Sequence, residues 1–101
     1  MDAELARIAT ELRSRYKDQI RHILFFGSRA RGEATPESDY DCLMIVKQPT
    51  AALKQDLDRL SNQWLLERGI VFAWIALSEA DLERLRFEPF IRNAYREGIA
   101  A

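Results

Sequence analysis

Little in this 101-residue sequence is suited to cross-linking or metal capture through sulfur and imidazole: it holds one cysteine, Cys42, and one histidine, His22. A lone cysteine makes no internal disulfide, and a single free thiol fits a reducing cytoplasm. Three prolines and four glycines exclude collagen-like and Pro/Gly-rich disordered chains. Neither sign of charge dominates. Fifteen Lys+Arg face sixteen Asp+Glu, a formal charge of -1, so no global field draws the chain to nucleic acid or an anionic membrane. Long apolar runs are missing too: stretches such as Ile23 to Phe26 and Ile70 to Leu77 fall far below the ~20 residues that span a bilayer. Met1-Asp2-Ala3-Glu4 is acidic where a secretory leader would be basic and then apolar. A cytoplasmic protein with neither a membrane nor a direct nucleic-acid partner is therefore expected.

What is present is ordinary globular usage, 48% hydrophobic and 31% charged. Residues 1–101 are expected to form one domain, small enough that a partner chain is physically reasonable. Twelve of the fifteen basic residues are Arg. That bias suits a surface handling phosphates, and it equally follows from an arginine-preferring genome.

The hydrophobic pattern predicts alternating helices and strands. Leu5, Ile8, Ala9, Leu12 and Tyr16 make a helical stripe over residues 3–17, with Asp2 as N-cap. Ile20 to Phe26 is an apolar, β-prone run that stops at Gly27-Ser28. Residues 28–38 form a loop with a short helical turn after Ser28, and Tyr40 to Val46 is a second strand. Thr50 caps a helix whose apolar positions are Leu53, Leu57, Leu60 and Trp64, and Gly69 stops it. Ile70 to Leu77 predicts a third strand buried on both faces. Ser78 and Asp81 fit a capping box, Glu88-Pro89 breaks the helix they open, and Phe90 to Glu97 gives the last helix, stopping at Gly98. The expected fold is α/β (α+β): a small mixed sheet of about three strands covered by helices.

The chemistry lies in Phe26-Gly27-Ser28-Arg29-Ala30-Arg31-Gly32 and Ser38-Asp39-Tyr40-Asp41. Gly27-Ser28 stands where a buried strand gives way to a helical turn, so free backbone N–H groups and the Ser28 hydroxyl can hold a phosphate. Asp39 and Asp41 are two apart at the head of a strand and point to one face. Two carboxylates there repel unless a cation intervenes. Beside a triphosphate that cation is Mg²⁺, which takes one or two carboxylates plus phosphate oxygens and water. A phosphate cradle with paired aspartates is the minimal equipment of metal-assisted nucleotidyl transfer.

Gly27-Ser28, ten intervening residues and Asp39-Tyr40-Asp41 resemble the G-S-x10-D-x-D signature of the nucleotidyltransferase superfamily related to DNA polymerase β. The fuller string and the chain length resemble its small members, the minimal nucleotidyltransferase (MNT) proteins commonly encoded beside a helical HEPN-domain protein. The likeness is dense over residues 20–47, and the order of the remaining elements agrees. The resemblance implies a polymerase β-like fold, ATP as substrate and Mg²⁺ as cofactor. It assigns Gly27 and Ser28 to the β- and γ-phosphates and Asp39 and Asp41 to Mg²⁺. Arg29 and Arg31 are then candidates for a phosphate or a partner, with Arg31 preferred. It further implies an antitoxin that transfers AMP to a tyrosine of a cognate HEPN toxin. The family's third carboxylate, expected on the strand after the crossover helix, is absent: Ile70 to Leu77 holds no acid, and Glu79 and Asp81 fall to the capping box. The alternative is a nucleotidyltransferase-fold protein that neutralises its partner by binding alone. His22, Cys42, Trp64 and Trp74 read as structural residues, and Phe87, Phe90 and Ile91 as core or a docking site.

Overall fold

The structure is a computed structural model that describes residues 2–101. Helix α1 (Ala3–Tyr16) begins where the Glu4 and Leu5 N–H groups donate to the Asp2 carboxylate, at 2.7 and 3.4 Å. A 3₁₀ turn (Lys17–Gln19) leads into β1 (Ile20–Phe26), followed by the one-turn α2 (Gly27–Arg31) and β2 (Tyr40–Val46). Helix α3 (Ala51–Arg68) starts at Thr50, whose hydroxyl accepts from the Leu53 N–H, and ends at Gly69 in the left-handed region. Then come β3 (Phe72–Leu77), α4 (Glu79–Leu85), α5 (Pro89–Glu97) and β4 (Ile99–Ala100). Pro89 opens α5, where its missing N–H costs no hydrogen bond.

The strands form one mixed sheet in the order β3-β2-β1-β4, with β1 antiparallel to β2 and β4, and β2 parallel to β3. The three expected strands are present in the expected pairing, and β4 is an addition to them. It is only two residues long, too short to give a period. Gly98 makes it geometrically feasible: a Cβ there would lie 2.4 Å from the Ala94 carbonyl oxygen and 2.7 Å from Leu24. The third strand also starts two residues later than its apolar run. Pairing begins at Phe72 because its partner strand begins at Tyr40, while Ile70 fills the core beside the turn.

Alternation along the strands divides the interior in two. Ile23, Phe25, Cys42, Met44, Phe72 and Ala76 face α1 and α3, packing on Leu5, Ile8, Leu12, Leu57 and Trp64. Leu24, Leu43 and Ile45 face the other way, onto Ile91 and Ala94 of α5, with Leu82 and Leu85 of α4 at the margin. A sheet covered on both faces needs continuously apolar strands, and β2 supplies them: all but one of its seven residues are buried. The exception is Asp41, which faces the α4–α5 side.

Candidate nucleotide and metal site

Asp41 is held on β2 between Phe26 of β1 and Ala73 of β3, its register partners on either side. It is half-buried, and this burial, then the charge of nearby Asp39, pushes its carboxyl above the ordinary range; Arg31 pulls in the opposite direction. Asp39 sits one residue ahead of the strand and is exposed. The structure thus brings the two carboxylates within electrostatic reach of each other, as their spacing predicts.

Gly27 closes the other side of this site. Its φ is +74°, and a Cβ built on it would lie 2.2 Å from Asp41 Oδ2 and 3.1 Å from Cγ. No side chain fits between the end of β1 and that carboxylate, so the first residue of α2 must be glycine for Asp41 to stay where it is. Ser28 follows in the same turn, half-buried. Arg31, at the end of α2, is clasped between Glu33 (3.1 Å) and Glu97 (3.0 Å), and these two carboxylates raise its pKa. Arg29 turns away from the Gly27 side and bonds the loop before Asp39.

A nucleotidyltransferase domain model matches residues 5–100. The chain belongs to the nucleotidyltransferase domain family. A proposed protein adenylyltransferase of Methanocaldococcus jannaschii is 35% identical over 92 residues, covering 86% of this chain and 83% of that protein. A second one from the same organism is 36% identical over 58 residues, 56% of this chain and 59% of that protein. Among solved structures, a proposed nucleotidyltransferase from Sulfolobus solfataricus superposes with a TM-score of 0.54 at 23% identity, covering 96% of this chain and 76% of that one. That likeness supports the fold.

In this nucleotidyltransferase domain the donors fit a hard divalent cation. Two neighbouring carboxylates supply oxygen ligands, and the glycine that abuts one of them leaves an approach no Cβ obstructs. Among the described residues no third acid joins them. The β3 residue in register with Asp41 is Ala73, on the same face, so a methyl group stands where a β3 carboxylate would adjoin the pair. Glu79 and Asp81 are spent elsewhere. Asp81 Oδ2 accepts from the Ser78 N–H at 3.1 Å while Ser78 Oγ accepts from the Asp81 N–H at 3.0 Å, which completes the capping box. Glu79 pairs with Arg21 at 3.5 Å. Both lie beyond Leu77, four strand residues from Ala73 and hence about 13 Å along the sheet.

The residues read as structural are so placed. Cys42 is fully buried on the face opposite Asp41, its thiol pushed up by desolvation. Trp64 packs edge-on against Phe72 at 5.0 Å, and Trp74 packs half-buried against the same core. His22 is exposed beside the α4–α5 groove, at the other end of β1 from the acids. The terminal apolar group divides: Ile91 is core, whereas Phe87 and Phe90 are 73% and 42% exposed. Phe90 meets Phe26 edge-on at 6.1 Å, next to Asp41. Among the described residues no helix is long and apolar enough to cross a membrane.

Proposed function

We propose that this nucleotidyltransferase domain transfers AMP from ATP to a protein hydroxyl, the acceptor being a tyrosine of a cognate HEPN-domain toxin and the protein its antitoxin. The observation that carries the reading is the packing of Gly27 against Asp41, which joins a phosphate-binding turn to a carboxylate pair without an intervening side chain. In this reading Asp39 and Asp41 hold Mg²⁺ on the triphosphate, while Gly27 and Ser28 hold the β- and γ-phosphates. Bound there, Mg²⁺ neutralises phosphate charge and polarises the reacting phosphorus. The acceptor oxygen attacks the α-phosphorus, the bond to the bridging oxygen breaks, and pyrophosphate leaves. Arg31 offers a bidentate fork to the leaving phosphates once freed from its carboxylate partners. Kinship with two proposed protein adenylyltransferases supports a protein acceptor.

The acceptor's proton has no taker on β3, where Ala73 stands beside Asp41. A positioned base is typically worth 10²–10⁴-fold in rate. Transfer to generic acceptors is therefore negligible, and transfer to the cognate toxin is slow, relying on a polar group the toxin brings. The same observation favours a second reading, in which the fold neutralises its partner by complex formation and the nucleotide is at most a structural ligand.

Intact-mass analysis of the toxin after incubation with this protein, ATP and Mg²⁺ separates the two. An AMP-sized gain on a tyrosine, absent with Asp39→Asn/Asp41→Asn, supports transfer. Unchanged toxin mass, with toxicity still suppressed by the double variant, establishes neutralisation by binding.

A further inference from the structure

Asp39 is the less restrained of the two site carboxylates. It is exposed, precedes β2, and no hydrogen bond among the described residues fixes its side chain. Asp41 by contrast is locked in the sheet between two strands. Two ligands hold a small cation tightly only when their separation is set in advance, so something must place Asp39.

Arg29 has the geometry to do this. It leaves α2 one residue after Ser28 and spans the loop of residues 32–39. Its Nη2 and Nε donate to the Ser38 carbonyl oxygen at 3.0 and 3.3 Å, and Nη2 also reaches the Pro36 carbonyl oxygen at 3.5 Å. The guanidinium lies over the Tyr40 ring, Cζ 4.2 Å from its centroid, and Tyr40 is buried. Arg29 thereby grips the peptide before Asp39 and the side chain after it, the two handles that set where the Asp39 carboxylate points. A loop contact internal to residues 35–38 adds to the order: the Thr35 N–H donates to Ser38 Oγ at 2.9 Å. The donors of Arg29 that serve these carbonyls are not free for a phosphate.

We propose that Arg29 is a positioning residue for the cation site: it fixes Asp39 relative to Asp41 and touches neither cation nor nucleotide. This rests on the reading of Asp39 and Asp41 as cation ligands. The role needs a planar fork with a flat face, which Lys lacks. A charge-preserving change therefore abolishes the effect, which would not hold for a residue that simply attracts phosphate.

The test is direct titration of Mn²⁺, followed by the electron paramagnetic resonance of the free ion, on wild type, Arg29→Lys, Tyr40→Leu and the Asp39→Asn reference. Thermal unfolding and amide hydrogen exchange over residues 37–40 are recorded on each. Expected is a loss of Mn²⁺ affinity of about 10-fold or more for Arg29→Lys, the range typical of residues that orient metal ligands. Exchange at residues 37–40 rises while the rest of the folded chain is unchanged. Tyr40→Leu, which keeps an apolar group but removes the ring, shows a smaller loss that does not add to that of Arg29→Lys. Arg29→Lys binding Mn²⁺ like wild type overturns the proposal, and so does an affinity loss that merely tracks global unfolding. Wild type that takes up no Mn²⁺ overturns the cation site itself, a distinct failure from an unchanged Arg29→Lys.

Discussion

Substituting Gly27 by Ala tests the construction of the site with controls inside the same chain. Two costs are expected at this position. An L-residue held at φ +74° pays about 1–2 kcal/mol for the left-handed conformation. The new methyl, 2.2 Å from Asp41 Oδ2 and 3.1 Å from its Cγ, must also displace that half-buried side chain, an overpacking cost of about 1–3 kcal/mol. Together these give about 2–5 kcal/mol, which lowers the melting temperature of a domain this size by on the order of 10–30 °C. Gly32 has the same φ with nothing within 4 Å of its would-be Cβ, so Gly32→Ala carries only the first cost. Removing the carboxylate in Gly27→Ala/Asp41→Ala takes away the two closest atoms and leaves the Asp41 Cβ at 3.4 Å, an ordinary contact. The collision then disappears from the difference between double and single variants. Urea unfolding of the wild type, these three variants and Asp41→Ala alone measures every term. Equal destabilisation by Gly27→Ala and Gly32→Ala, or full additivity with Asp41→Ala, refutes the idea that Gly27 is required by its closeness to the carboxylate.

Two further outcomes follow from charges around this frame. Asp56 accepts a bidentate bond from Arg15 at 2.8 and 2.9 Å, which first and foremost lowers its pKa to about 2. Its folded-state pKa is below the ordinary 3.8, so the stability this α1–α3 link contributes is complete above that value and is lost as the pH falls toward 2. The pair faces solvent, which limits it to about 1 kcal/mol; Asp56→Asn flattens that acid limb in urea melts and leaves the rest of the pH profile alone. Glu97→Gln releases Arg31 from one of its two carboxylates at little cost to stability, because the pair is part-exposed. Calorimetry should show tighter Mg²⁺-ATP binding at low salt; weaker or unchanged binding excludes Arg31 as a phosphate ligand.

Much of this arrangement is legible in the sequence because it depends on neighbours in the chain. Asp2, Thr50 and Ser78 cap helices through bonds to residues two or three positions on. The alternation that sends Cys42 into the core and Asp41 to the opposite face is a property of any strand. What escapes is set by register and reach. The sequence offers Arg29 to a phosphate or a partner, because its position beside Ser28 says nothing of a side chain that crosses the loop to Ser38. The Arg31–Glu97 pair joins residues 66 apart, and β4 depends on how closely Gly98 approaches Leu24. Sequence can report that the third strand lacks an acid, yet only the pairing of β2 with β3 shows that Ala73 is the residue standing beside Asp41.

That placement bears on how binding and catalysis separate in this fold. The features to which the proposed function assigns a triphosphate and a cation lie on β1, α2, the loop of residues 32–39 and the head of β2, a continuous stretch from Phe26 to Asp41. It is built by short-range constraints: a glycine against a carboxylate, and an arginine gripping the loop between them. The group that would take the acceptor's proton belongs to β3, reached only through the eighteen-residue α3. A change on β3 therefore removes the base without disturbing the binding stretch, since Ala73 meets Asp41 as a strand neighbour and the fold needs only that the position fit the sheet. Under the proposed function, binding survives such a loss and unaided transfer does not. On that reading an acceptor that carries its own proton-accepting group restores the missing half, which would make the identity of the acceptor part of the catalytic machinery and confine transfer to a partner able to complete it.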